Sequence, residues 1–304
     1  PWPPPHSLLS KLRSRSRLLV SPDGALHHVP FDLLDLNGRR LLDSHVVSYA
    51  PSGEVLATLR SRTSSRARRP VLALSASFGG QAMPAAKGLT RDAFDLDPSK
   101  LRPLPSADDE ARSVGTTLGA ETSAVLIDTA ATEDALKRQP LADYRVLHLA
   151  AHGLPSTRFP ARAALLLRSG GSDDGVLQAR EILLLRLDAM LVTLSACDTG
   201  SGSVHGQDGP ASLVRPFLAS GARAVVANLW AADDTFSLAL MRAFYRQLAT
   251  GADIGSALRD AKREMIATFG PQAVPRLWSG VVAYGDARGT VTAPDGGATT
   301  GAVK

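Results

Sequence analysis

Short apolar runs alternate with stretches of helical period along most of this chain. Val71-Leu72-Ala73-Leu74 is apolar throughout. Tyr144 to Ala151, Leu191 to Ala196 and Arg223 to Leu229 are nearly so, and each is stopped by Gly or a polar cluster. Continuous apolar runs of roughly four to eight residues between turn signals are the pattern of strands buried on both faces. Between them the period changes. Phe236, Leu240, Phe244 and Leu248 recur every four residues between Thr235 and Gly251, which predicts an amphipathic helix capped at Thr235 and closed by the glycine.

The other elements follow from caps and turns. Residues 18–20 and 125–127 read as short strands, and Gly280 to Tyr284 as a last one. Helices are predicted from Pro51-Ser52 to about Arg60, from Ser106 to about Leu118 and from Thr132 to about Arg138. Others run from Ala179 to Leu185, Ala211 to Ser220 and about Ile254 to Thr268. Asn37-Gly38, between Ala25–Leu36 and Leu41–Ala50, is the strongest hairpin signal in the chain. Residues 78–105, rich in Gly, Pro, Ala and Asp, read as a long loop. Strands alternating with helices from 71 to 284 predict an α/β fold, a mostly parallel sheet with helices on both faces, preceded by an N-terminal β-hairpin region.

The expected organisation is a linker at 1–17 and one domain at 18–285, its hairpin-and-helix subregion at 18–69 and its α/β core at 70–285. A disordered tail at 286–304 follows, with Gly, Thr, Ala and Pro but no period. The chain opens on Pro1 rather than Met, which fits a piece of a longer polypeptide.

Composition sharpens this picture only in places. Aromatic residues are 5% of the chain, so Leu, Val and Ala must fill the core. No apolar run approaches the about 20 residues needed to cross a bilayer, and no signal-peptide pattern opens the chain. A single cysteine forms no internal disulfide, which favours a reducing, cytoplasmic setting. The net charge of +5 owes much to Lys11–Arg17 and to Arg60, Arg62, Arg66, Arg68 and Arg69. No aromatics interleave with these arginines to stack bases, so a solvated linker is expected rather than a nucleic-acid or membrane surface.

The chemistry lies at two strand ends. Cys197 closes the run from Leu191, and His152-Gly153 closes the run from Tyr144. The carboxyl ends of parallel strands are where α/β sites form. A thiol titrates at about 8.5 unless its surroundings help, and a nearby imidazole can take its proton and return it to a leaving amine. Backbone N–H groups at Gly153 and Cys197 are candidates for an oxyanion hole. Asp233 and Asp234 are candidates for binding a basic substrate residue, with helix capping as the competing role. Asp198 and Asp208 flank the Cys197 loop and could serve either purpose. A zinc pair from His148 and His152 is disfavoured, because the run is strand-like and no Glu follows His148. His148 is expected to be a satisfied core histidine.

His148-Leu-Ala-Ala-His152-Gly153 together with Leu194-Ser-Ala-Cys197-Asp-Thr-Gly200 resembles the signature of CHAT domains, caspase-like cysteine peptidases related to separase. Val20 to Phe31, Ser48 to Ser52 and Phe217 to Trp230 resemble further family segments in the same order. The similarity spans roughly residues 18–285. It implies a caspase-like fold, a His152–Cys197 dyad and cleavage of a protein substrate through an acyl-enzyme, with no metal and no cofactor. It also implies latency until a partner or an upstream sensor or repeat domain acts. The resemblance places Asp233 and Asp234 near the position where separase-type enzymes keep an acid for a basic residue before the cut. The alternative is a catalytically silent caspase-like interaction module.

Overall fold

The computed structural model describes residues 16–36, 38–78, 94, 101–156, 158–195, 211–230 and 233–292. Eleven strands lie among them: β1 (Arg17–Val20), β2 (Val46–Tyr49), β3 (Arg69–Ser75), β4 (Ala124–Ile127), β5 (Tyr144–Ala150), β6 (His152–Leu154), β7 (Ala164–Leu166), β8 (Val176–Gln178), β9 (Leu191–Ser195), β10 (Ala224–Asn228) and β11 (Val281–Gly285). The five longest helices are α1 (Gly53–Ser61), α2 (Ala107–Gly119), α3 (Ala211–Ser220), α4 (Asp234–Ala249) and α5 (Ile254–Phe269).

Eight strands form one sheet in the order β1-β2-β11-β10-β9-β5-β3-β4. Every neighbouring pair is parallel except β10 and β11. The mostly parallel sheet is thus as the alternation of elements predicts, and the continuous apolar runs are the strands at its centre. β6, β7 and β8 form a separate antiparallel sheet.

Alternate positions along the central strands divide between two apolar layers. Leu72, Leu74, Leu147, Leu149, Val192 and Leu194 pack with Leu59 of α1 and with Phe217 and Leu218 of α3. Val71, Ala73, Val146 and Leu191 pack against Val114 of α2, Phe244 and Leu248 of α4 and Leu258 and Met265 of α5. Burying each large side chain contributes about 1.5–3 kcal/mol, so both faces of the sheet are held by the hydrophobic effect. No described helix is long and apolar enough to cross a membrane.

The N-terminal region departs from expectation. The stretch read as extended over Ala25–Leu36 forms two 3-10 turns, Gly24–His28 and Phe31–Leu33. Asp23 starts the first by accepting from Gly24 N, and Pro30 separates it from the second. The hairpin is reduced to a bridge between Asp35 and Arg40, and Leu41–Ser44 is a helical turn before β2. β1 instead pairs in parallel with β2.

Two arginines of the stretch read as a solvated linker are held by the fold, while Arg66 and Arg68 are exposed. Arg62 donates to the carbonyls of Leu218 and Ala222 at the end of α3, where cations complement the exposed C=O groups. Arg69 donates to Tyr144 Oη and lies over its ring.

Candidate functional site

β5 and β9 are adjacent and parallel, in the register His148↔Thr193, Leu149↔Leu194 and Ala150↔Ser195. Ala151 N extends the ladder by donating to Ser195 O. Both strands are largely buried apolar runs at the centre of the sheet, so one edge of the sheet carries both of their carboxyl ends. At Ala151 the chain leaves the large sheet, and His152 opens β6 opposite Leu166, with Gly153 opposite Leu165. His152 therefore sits at the junction of the two sheets. Its side chain is buried.

The imidazole is oriented from outside both strands. His152 Nε2 lies 2.8 Å from the carbonyl oxygen of Arg102. A carbonyl only accepts, so Nε2 carries the hydrogen, and in the neutral ring the lone pair is on Nδ1. Arg102 belongs to Arg102-Pro103-Leu104-Pro105-Ser106, where each residue preceding a proline is confined to extended backbone. Leu104 N donates to Ser77 O just beyond β3, and Ser106 N donates to Asp234 Oδ2 at 2.8 Å. Leu104 and Ala107 are buried together with Ala150 at the end of β5. Ser75 Oγ, at that same level of the sheet, donates to Asp108 Oδ1.

Beneath this edge a buried polar chain crosses from α2 to β9. Glu110 Oε1 lies 3.0 Å from His148 Nε2, His148 Nδ1 lies 3.1 Å from Tyr245 Oη, and Tyr245 Oη donates to Thr193 Oγ1 at 2.8 Å. The tyrosine ring also packs edge-on against the imidazole. All four residues are buried. Burial, foremost, raises the phenol of Tyr245 well above its ordinary range, so it is a neutral donor at any working pH.

The two acidic candidates on α4 each hold a backbone N–H. Asp233 is the N-cap of α4, accepting from Phe236 N at 2.9 Å; the expected cap at Thr235 is displaced by two residues. Asp234 takes Ser106 N, as above. Cys197, Asp198, Asp208 and the glycine-rich loop 200–209 lie outside the described residues.

Sequence reasoning did not find Arg102 or the contact of Asp234. A backbone carbonyl acting as orienter leaves no side-chain signature, and Arg102 falls in a stretch read only as loop. The Pro-x-Pro spacing around Leu104 was the available hint of a stiffened segment.

Comparison with known proteins bears on the family and the fold. The family model described as CHAT domain matches residues 3–286. Tetratricopeptide repeat protein 28 of Homo sapiens is 25% identical over 312 residues, which cover 90% of this chain and 12% of that protein. The Mus musculus protein of the same name matches equally, so the chain spans about an eighth of the curated relatives it resembles. Among solved structures, the Arg-specific cysteine proteinase gingipain R superposes with a TM-score of 0.58 at 8% identity, covering 95% of this chain and 70% of that one. The separase of the Saccharomyces cerevisiae separase–securin complex gives 0.53 at 12% identity, over 88% of this chain and 15% of that one. At these identities the likeness is one of fold, and that fold is the caspase-like one.

Proposed function

This chain belongs to the CHAT domain family, and on that premise we propose that it is a cysteine endopeptidase with Cys197 as nucleophile and His152 as general base and acid. The observation that carries the proposal is the β5–β9 register. Ala150 faces Ser195, and His152 and Cys197 each follow that pair by two residues. The imidazole is also buried and held with its Nε2–H on Arg102 O, the tautomer a base needs.

In this reading Nδ1 takes the thiol proton, and the thiolate sulfur attacks the carbonyl carbon of the scissile peptide. The carbonyl π electrons move to oxygen, and backbone N–H groups, those of Gly153 and Cys197 being the candidates, hold the oxyanion. The imidazolium returns its proton to the amine as the C–N bond breaks. Water then hydrolyses the thioester, again with the imidazole as base. The Arg102 carbonyl holds the ring through both transfers and gains strength when the ring is charged.

We further read the substrate as a protein and the enzyme as one held latent until a partner or an appended sensor acts. The repeat in the name of both curated relatives supports a repeat module as that sensor. A lone cysteine suits a reducing, cytoplasmic setting. A preference for a basic residue before the cut is supported by the Arg specificity named for gingipain R; Asp233 and Asp234, and Asp198 and Asp208 that flank the Cys197 loop in sequence, are the acids that could read it.

Alkylation of Cys197 by iodoacetamide across pH, with peptide-library digestion alongside, tests this. An activated thiol reacts well below its ordinary midpoint of about 8.5. Cys197→Ala should abolish cleavage, and His152→Ala should return the thiol to ordinary reactivity. Ordinary reactivity in the wild type, with no cleavage, would leave a caspase-like interaction module or an enzyme held inactive.

A further inference from the structure

We propose that Asp234 is a positioning residue for His152, acting through the segment Arg102–Ser106; the inference rests on the peptidase reading above. The segment has few ways to be held. Pro103 and Pro105 have no N–H, so between Pro103 and Ser106 the backbone offers two donors, Leu104 and Ser106. Leu104 N is held by Ser77 O at 2.9 Å. Ser106 N is held by the Asp234 carboxylate at 2.8 Å, from a residue 128 positions away in sequence. The carbonyl that orients His152 lies one residue before this doubly tied stretch.

Two ordinary explanations for an acid at this place do not account for it. Capping of α4 is already done by Asp233. The first turn of α2 already carries Asp108, Asp109 and Glu110 to complement its dipole. What Asp234 adds is a side-chain oxygen that accepts from one backbone N–H. It ties the start of α4 to the strap that aligns the imidazole. A misplacement of about 1 Å in an aligned group costs up to about a hundredfold in rate, so loss of this tie should appear in the chemical step.

The side-chain requirement is for an oxygen at that position rather than for negative charge. That separates positioning from recognition of a basic substrate residue. The experiment compares wild type, Asp234→Ala, Asp234→Asn and Asp234→Glu in the full chain. It measures kcat and KM on a cleaved peptide and the pH profile of Cys197 alkylation, with a thermal melt to confirm folding. Asn keeps an oxygen acceptor in place. Glu keeps the charge but moves the oxygens by about 1.5 Å, one C–C bond. Glu is also a good helix former at the first position of α4, so it keeps the question open should the alanine variant not fold.

Asp234→Ala and Asp234→Glu should lower kcat by about tenfold or more with KM within about twofold, and should move the alkylation midpoint toward that of an ordinary thiol. Asp234→Asn should stay within about threefold of wild type. An impaired Asn variant with an active Glu variant, the loss lying in KM for Arg or Lys peptides, would overturn the proposal in favour of charge recognition. All variants at wild-type rate, with an activated wild-type thiol, would overturn it and leave the peptidase reading intact. An ordinary thiol in the wild type overturns both.

Discussion

Tyr245 shows what one hydroxyl does in this core. Its oxygen serves both His148 Nδ1 and Thr193 Oγ1, and it comes from α4, so a helix is joined to two adjacent strands at one atom. Tyr245→Phe preserves the ring packed on His148 and removes only that bridge. Both partners stay buried with one bond fewer, and each shortfall costs about 1–3 kcal/mol. We expect a loss of about 2 kcal/mol in urea unfolding, with an unchanged m-value. A loss below about 0.5 kcal/mol would mean that the hydroxyl is replaceable by water. The residue scale was also where the sequence was hardest to read. The strand ends at His152 and Cys197 are visible because Val and Leu runs stop there. The Arg102 carbonyl and the choice of Asp233 over Thr235 as cap are not. The run Asp233-Asp234-Thr235 presents three capping side chains, and the sequence alone does not choose among them.

At the scale of elements, α3 depends on how it ends. Gly221 follows it with φ of 129°, a conformation L side chains avoid, and an added Cβ would lie 2.0 Å from Leu187 O. Leu187 N in turn donates to Ser220 O, so the two backbones are locked together there. Gly221→Ala should therefore cost roughly 2 kcal/mol or more, through φ strain and collision with backbone that cannot yield. A thermal melt within about 1 °C of wild type would refute this, since 1 kcal/mol alone shifts a chain of this size by about 2 °C. Elements with strong period or continuous apolar runs were legible: β3, β5, β9, β10, α4 and α5 lie where the pattern predicts. The small sheet β6–β8 was not, because strands of three residues carry no period; the short apolar stretch Ala163–Leu167, which holds β7, is the one trace of it in the sequence. Ala25–Leu36 misled for the opposite reason: its apolar residues pack as 3-10 turns around Pro30 rather than as a strand.

For the whole molecule, the order of strands decides where acid acts first. Burial opposes ionisation of Asp253, but Arg17 and the N–H and hydroxyl of Ser256 outweigh it and hold the carboxyl below its usual range. Asp286 is half-buried, and Arg288 and Arg60 outweigh that burial and pull it down. A carboxyl depressed on folding contributes stability that is complete above its unfolded value of about 4 and disappears as pH falls through the folded one. Glu133 runs the other way: burial raises it despite Lys137, so its contribution grows as pH falls. Melting temperature should thus change little from pH 7 to about 5 and drop below about 4. A flat profile down to pH 3 would contradict the two depressed aspartates. Arg17 starts β1, and Asp286 follows β11, so these two losses fall at the β1–β2–β11 end of the sheet, while Glu181, also held low beside Lys137, adds one next to β8. Hydrogen exchange at low pH should open that end before β5 and β9.

That same end holds the first described strand. β1 is the outermost strand, zipped in parallel to β2 and pinned to the first turn of α5 by a two-pronged guanidinium–carboxylate clasp between Arg17 and Asp253. A body attached ahead of Arg17 would tug on this rim, and the pull would have two ways inward: through β2, β11 and β10 to the strand that precedes Cys197, or through the clasp straight into α5.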